Sequence, residues 1–334
     1  MNFGSTAPFT LGVEEELLLV DASTLDAAPL FRQVVPQPSE RLKAELFACL
    51  VETTTSICRS ADDALAELRA LRKEAQGRAT PVSAGVCALA SHPFAEGERQ
   101  AILPKPRYLK MAAELGAGVY RQLVCGLHVH VGMPSAESCL RALEGVLPWL
   151  PTILALSANS PYIDGADSGV RSVRAGRLAE LPSGGPPPLL ESWADWERAT
   201  DGVDYTRLWW DARPHPRYGT LEVRIPDQQT DVRRAAGFAA LVQSLAATAS
   251  DSELRPYDRA RYVFRRARAA AAGPDPAEVE VLALLVEPAA RKLGGWELAR
   301  LVLEGGPEAD RQLAIGRAEG THAVVQDALR RSVE

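Results

Sequence analysis

The chain has 334 residues, with 37 Lys and Arg against 43 Asp and Glu, a formal charge of −6 and 46% apolar residues. These are the values of a globular protein long enough to fold without a disulfide or metal staple, and the acidic balance speaks against a general nucleic-acid coat. The five cysteines (Cys49, Cys58, Cys87, Cys125 and Cys139) form no C-x-x-C pair and read as reduced core thiols of a cytoplasmic protein, not as a disulfide framework or a zinc site.

Residues 1–9 read as an N-terminal tail without the basic start and apolar block of a signal peptide. Thr10 to Asp21 reads as a strand closed by the turn Asp21-Ala-Ser. Ser60 to Arg78 reads as a helix: Ser60 caps it with Asp63, and Leu65, Leu68, Leu71 and Ala75 form one apolar stripe. Val82 to Ala90 reads as a buried strand and Leu123 to Met133 as a strand with two histidines. Ser135 to Val146 and Pro151 to Ala158 read as helices. The apolar stretch from Gly145 to Ala158 is interrupted by Pro148 and Pro151 and is short of the roughly 20 residues a bilayer requires, so no membrane association is expected.

Pro182 to Pro188 (PSGGPPP) must be a loop, since prolines donate no backbone hydrogen bond. Tyr218 to Ile225 reads as a strand and Thr230 to Ser250 as an Ala-rich helix. Asp275-Pro-Ala-Glu opens another helix, with a cap followed by proline at the first position, and the remaining chain reads as helical. Strands gather in the first two-thirds without strict alternation with helices. That pattern predicts an α+β fold with an antiparallel sheet, residues 10–334 forming a single domain. Neither of the common glycine-rich nucleotide loops is present.

Three predicted strands share one feature. Residues i and i+2 of a strand share a face, about 7 Å apart. Glu14 and Glu16 therefore project together, as do His128 and His130, and Glu222 and Arg224; Val13, Glu15 and Leu17, and the apolar neighbours in the other two strands, face the opposite way. One sheet carrying all three faces would gather three carboxylates, two imidazoles and a guanidinium. Crowded carboxylates repel unless cations compensate them, and an oxygen-rich set with one or two imidazoles suits Mg²⁺ or Mn²⁺. Taken singly, Glu14 and Glu16 also fit a solvated strand face, His128 and His130 a hydrogen-bonded core, and Glu222 and Arg224 a surface ion pair.

Glu52 lies in the β-branched run Val51-Glu-Thr-Thr-Thr-Ser-Ile and is expected to join the cluster. Glu45 stands an odd seven residues earlier, on the opposite face of any continuous strand, so a bend or a helical turn must intervene if both serve. Arg171 and Arg174 follow an apolar helix and a Gly-rich turn, and Arg213 and Arg217 flank a Pro-rich turn before the Glu222 strand; guanidinium suits carboxylate and phosphate. A surface role is the alternative for each.

The segments TLGVEEELLLVD from Thr10, CGLHVHVG from Cys125, LALSANSPYIDGADSGVRSVR from Leu154, PRYGTLEVRIPDQQT from Pro216 and ADRQLAIGRAEG from Ala309 resemble, in order, the ATP-dependent carboxylate–amine ligases called glutamate–cysteine ligase type 2. The resemblance runs from about Thr10 to the C-terminus. It implies a glutamine-synthetase-like catalytic fold, an antiparallel sheet curled into a funnel. It implies activation of a γ-carboxylate by ATP to an acyl phosphate, then attack by cysteine or another amine. By this similarity Glu14, Glu16, Glu52, His128 and Glu222 would hold Mg²⁺ or Mn²⁺. Glu45 matches a position where the superfamily more often has Asp, and whether it ligates is left open. Arg224 would contact the transferred phosphoryl group and act with Glu52 as a catalytic residue. Arg174 falls where relatives bind the substrate α-carboxylate, with Arg171 and Arg213 expected beside it. His130 falls near the nucleotide, with Arg217 and Arg224. The implied partners are an amino acid, an amine and ATP; a homo-oligomer is left open. Two other readings stand: a metal-dependent amide hydrolase built on His128-x-His130, and a non-catalytic relative that only binds nucleotide.

Overall fold

A computed structural model of the chain describes residues 1–251 and 257–334. The strands are β1 (Leu11–Asp21), β2 (Leu42–Ala44), β3 (Leu50–Thr54), β4 (Ala84–Cys87), β5 (Leu127–Gly132), β6 (Tyr162–Ile163), β7 (Ala166–Asp167), β8 (Ala212–His215) and β9 (Thr220–Val223). The helices of the first half are α1 (Phe31–Val34), α2 (Ala61–Ala79), α3 (Pro106–Leu115), α4 (Ala136–Val146) and α5 (Leu150–Ser157). Those of the second half are α6 (Val173–Ala179), α7 (Trp193–Thr200), α8 (Val232–Asp251), α9 (Arg259–Ala272), α10 (Pro276–Lys292), α11 (Trp296–Glu304), α12 (Glu308–Glu319) and α13 (Thr321–Ser332).

The main sheet is seven-stranded in the order β2-β3-β1-β5-β9-β8, with β4 paired to the second half of β1. Every pair is antiparallel, and β6 and β7 form a separate ribbon, so the α+β expectation holds. Alternation along β1 is regular at first: Leu11, Val13, Glu15 and Leu17 are buried between half-buried Gly12, Glu14 and Glu16. Val13, Val129, Leu221 and Val223 pack with α4, α5 and α8 into a core on one face of the sheet. The opposite face carries the polar members of the same strands.

Local chemistry sets the helix starts. Ser60 and Asp63 form a reciprocal capping box on α2, Ser135 accepts from the Ser138 amide on α4, and Asp275 accepts from the Ala277 amide ahead of α10. The central helix α8 packs against α2, α4, α10 and α11. Gly237 makes the α11 contact feasible, because a Cβ there would stand 2.6 Å from the Leu298 carbonyl oxygen.

Several expected boundaries shift. The strand read from Val82 begins at Ala84, because Thr80–Val82 forms a single 3₁₀ turn around Pro81. The strand read to Ile225 ends at Val223, where the Arg224 and Ile225 amides both turn to the Asp211 carbonyl. The prolines do not break the apolar stretch. Pro148 sits in the turn Leu147–Trp149 and Pro151 in the first turn of α5, so a helical run continues over the 22 residues Ala136–Ser157. Among the described residues this is the one run long and apolar enough to cross a membrane, and most of it is buried inside the fold. Residues 1–9, expected as a tail, are bound down: the Asn2, Gly4 and Phe9 amides donate to Pro216, Met133 and Gly132, and Phe3 packs edge-on against Trp193. All five cysteines are free and buried, and burial pushes the Cys49 thiol up to about 12, in keeping with core thiols.

Candidate functional site

Strand register turns the paired side chains into rows across one face of the sheet. Residues directly opposite in an antiparallel pair share a face and stand about 5 Å apart. In one row Lys43 faces Glu52 and Glu52 faces Glu16. In the next, Thr54 faces Glu14 and Glu14 faces His128. In the third, His130 faces Glu222 and Glu222 faces Arg213. All but Thr54 line a cleft of about 790 Å³, with Glu45 and Arg224.

Within the cleft, His128 Nδ1 lies 3.5 Å from one Glu14 oxygen, and His130 Nε2 lies 3.7 Å from the same oxygen. His130 Nδ1 contacts the Thr220 hydroxyl at 2.9 Å, while its Nε2 is buried and has no hydrogen-bond partner. Ligand atoms of Glu14, His130 and Glu222 all lie within 4.8 Å of one another. A buried imidazole nitrogen without a hydrogen-bond partner, 3.7 Å from a carboxylate oxygen, fits a divalent cation, and the surrounding oxygen-rich set fits Mg²⁺ or Mn²⁺. His130, expected near the nucleotide, thus stands with Glu14 and Glu222 in a group of possible ligand atoms.

The electrostatics follow from crowding. Burial, then the charges of Glu14 and Glu45, hold the Glu52 carboxyl well above the ordinary carboxylate range. Burial and Glu16 raise Glu45 as well. Burial alone would raise Glu222, but the Arg213 and Arg224 guanidinium groups outweigh it and hold Glu222 well below that range. Burial and the charge of Arg224 lower His128, which keeps its ring neutral and fit to ligate.

The odd spacing of Glu45 and Glu52 is resolved by a hairpin. Glu45 lies just past β2, in the connection to β3, so the chain reverses between the two residues. The Leu46 amide donates to the Glu45 carboxylate at 3.0 Å, and Tyr108 donates its hydroxyl proton to the Ala44 carbonyl at 2.6 Å.

The arginines divide. Arg224 pairs with Glu222 and approaches His128 Nδ1 at 3.5 Å. Arg213 is committed to Glu222 by two hydrogen bonds of 2.7 and 3.2 Å, and its third nitrogen donates to the Tyr205 and Leu208 carbonyls. It was expected at the substrate; here both of its bonds to a carboxylate go to Glu222. Arg174, 2% exposed, donates to the Arg224 and Ile225 carbonyls, while its Nε is buried without a partner. It lies over Gly126, where a Cβ would stand 2.1 Å from its Nη2. The other two arginines lie away from the cleft lining. Arg171 does not line the cleft; its Nε pairs with Asp310 at 2.7 Å. Arg217 is exposed outside it, with its guanidinium 5.7 Å from the centre of the Tyr218 ring.

Lys43, Lys105, Arg107 and Tyr108 also line the cleft and were not singled out by sequence reasoning. Lys43 lies on a three-residue strand, too short to show a periodicity. Lys105 and Arg107 flank Pro106 at the start of α3 and carry no periodic mark.

The chain matches the model of glutamate–cysteine ligase family 2 over residues 10–294. It is 36% identical to a protein of Rubrobacter xylanophilus provisionally named glutamate–cysteine ligase 2-3, over 98% of both chains. It is 34% identical to a Jannaschia protein provisionally named glutamate–cysteine ligase 2, over 98% of this chain and 95% of that one. Among solved structures, it resembles glutamate–cysteine ligase from Francisella tularensis in complex with AMP, with a TM-score of 0.72 at 14% identity over 98% of this chain and 89% of that one. A bifunctional glutathione synthetase from Pasteurella multocida gives a TM-score of 0.70 at 16% identity over 98% of this chain and 52% of that one. At such identities the shared property is the fold.

Proposed function

This chain belongs to glutamate–cysteine ligase family 2, and on that premise we propose that it is an ATP-dependent carboxylate–amine ligase acting on a glutamate-like acid and cysteine or another amine. The observation that carries the reading is the convergence of Glu14, His130 and Glu222 within 4.8 Å, with the His130 Nε2 orphaned among carboxylates. Glu14, Glu16, Glu45, Glu52, His128, His130 and Glu222 are the side chains available to hold Mg²⁺ or Mn²⁺. The bound ions would neutralise that set and the nucleotide phosphates and spread the charge of a phosphoryl group in transfer.

A free carboxylate is a poor electrophile, so it must first be activated. An oxygen of the acid attacks the γ-phosphorus of ATP, the bond to the ADP oxygen breaks, and an acyl phosphate forms. The amine nitrogen then attacks the acyl carbon, phosphate leaves with its electron pair, and the nitrogen gives up a proton. No protein nucleophile is needed, which agrees with five buried cysteines. Arg224, anchored on Glu222, is placed to meet charge on the transferred group. Arg174, which lines the cleft and keeps a buried Nε without a partner, is the guanidinium suited to a substrate carboxylate.

The test is release of ADP from Mg²⁺-ATP in the presence of glutamate and a panel of amines. ADP release that depends on both acid and amine is expected, and Glu52→Gln and Glu222→Gln should abolish it while circular dichroism stays native. Near-normal turnover in both variants rejects the metal assignment. Amide hydrolysis without ATP would favour the hydrolase, and ATP binding without amine-dependent ADP release the binding protein.

A further inference from the structure

The row Lys43–Glu52–Glu16 contains two glutamates directly opposite each other on paired strands. Like charges so placed are destabilising, and Glu14 and Glu45 line the same cleft. The third row neutralises itself, since Glu222 is gripped by Arg213 and Arg224. The first two rows have no such guanidinium. Among the described residues, Lys43 is the one lysine or arginine within 4.0 Å of any of Glu14, Glu16, Glu45 and Glu52. Its ammonium lies 3.1 Å from Glu52 and 3.5 Å from Glu14, between two strands that are themselves paired.

We infer that Lys43 is a resident cation of the cleft: its ammonium stands between Glu14 and Glu52 in place of one divalent ion, so that this chain carries one ion fewer than its carboxylates could hold. The inference rests on the divalent-cation reading of the cleft and adds to it which carboxylate pair is already compensated by protein. The placement is built by the fold. β2 is paired in register along β3, which sets Lys43 opposite Glu52, and the Tyr108 hydroxyl pins β2 through the Ala44 carbonyl. The lysine side chain is 26% exposed, so its stem is largely covered and its head is directed to the carboxylates. An ammonium is a compact point charge with three donors, the shape needed to serve two carboxylates at once.

The experiment counts Mn²⁺ bound per chain by electron paramagnetic resonance on the full chain, without nucleotide or amino acid. Lys43→Met should bind one Mn²⁺ more than the natural protein, and Lys43→Arg, which keeps the charge, should not. Equal counts in all three proteins overturn the inference and leave the metal reading standing. No Mn²⁺ bound by any of them overturns both. If Lys43→Met does not fold, the natural protein decides through reductive methylation read by peptide mapping. Saturating Mg²⁺ should change labelling of Lys43 less than twofold, with Lys105 at the cleft as the internal reference. Labelling of Lys43 that rises severalfold on adding Mg²⁺ means the ion expels the lysine and overturns the inference.

Discussion

Arg72 of α2 closes on Glu15 through two hydrogen bonds, directly behind the strand face that presents Glu14 and Glu16. Three consecutive glutamates of one strand thus serve two faces, two toward the cleft and one into the core. The guanidinium also donates to the Gln229 and Thr230 carbonyls at 2.7 Å and to the Ser332 carbonyl at 3.0 Å, while Gln228 donates to Glu15 at 3.1 Å. The pair is 1% and 0% exposed, so neither charge has access to water once its partner is gone.

Arg72→Met should therefore destabilise the fold by about 3–5 kcal/mol, the cost of stranding a buried carboxylate. Replacing Glu15 and Arg72 together by Leu and Met should cost less than the single change, because no charge is left unpaired. Urea unfolding of the two variants checks this. A loss below about 1 kcal/mol in Arg72→Met would show that the pair only decorates the core.

On the metal reading proposed above, Arg213 is a positioning residue. Its two hydrogen bonds aim the Glu222 carboxylate, and such supports of a metal ligand are typically worth 10–100-fold in affinity, so roughly that loss in Mn²⁺ binding is expected for Arg213→Lys. Lysine keeps the charge but cannot form the fork. The KM for the amino acid should change little. Unaltered Mn²⁺ affinity with a raised amino-acid KM would return Arg213 to the substrate.

The residues of the cleft that were legible in the sequence are those whose partner lies two positions away. Glu14 and Glu16, His128 and His130, and Glu222 and Arg224 declare a common face because strand geometry has period two. Their meeting needed only that β1, β5 and β9 be neighbours, and the register shows they are. Glu45 was ambiguous because a hairpin cancels the parity argument, and a three-residue strand such as β2 leaves too little periodicity to reveal one. The arginines were less legible still. Arg171 and Arg174 are three residues apart, yet one pairs with Asp310, 139 positions along the chain, and the other turns inward over Gly126. A long side chain finds its partner by tertiary contact, which spacing does not encode. Lys43 reads as an ordinary surface lysine until the fold shows which carboxylates stand beside it.

Arg174 separates two roles that kinetics can distinguish. Its Nη1 and Nη2 hold the Ile225 and Arg224 carbonyls at 3.1 and 3.0 Å, which fixes the backbone that carries Arg224. Its Nε is buried and has no partner, and the proposed function would give Arg174 a substrate carboxylate. Arg174→Ala should raise the amino-acid KM more than the ATP KM. A fall in kcat with both KM values unchanged would mean that it acts only through Arg224.

His92 supplies a pH dependence away from the cleft. Burial lowers it from the ordinary 6.5 to about 4, outweighing the Leu25 carbonyl contact, which favours the charged ring. Its Nε2 lies 2.9 Å from the Leu25 carbonyl, and Nδ1 accepts from the Phe94 and Ala95 amides at 3.3 and 3.0 Å, so the fold requires a neutral ring with its proton on Nε2. Between pH 6.5 and 4 the unfolded chain binds a proton there that the folded chain does not, so stability is full above 6.5 and falls as acid is added through that window. The full loss is on the order of 3 kcal/mol at 1.36 kcal/mol per pH unit. His92→Gln keeps a donor for Leu25 and an acceptor for the two amides but cannot titrate. It should flatten the slope of unfolding free energy over that window, measured by urea titrations at half-unit steps. A variant whose slope matches the natural protein would assign the acid sensitivity to other groups.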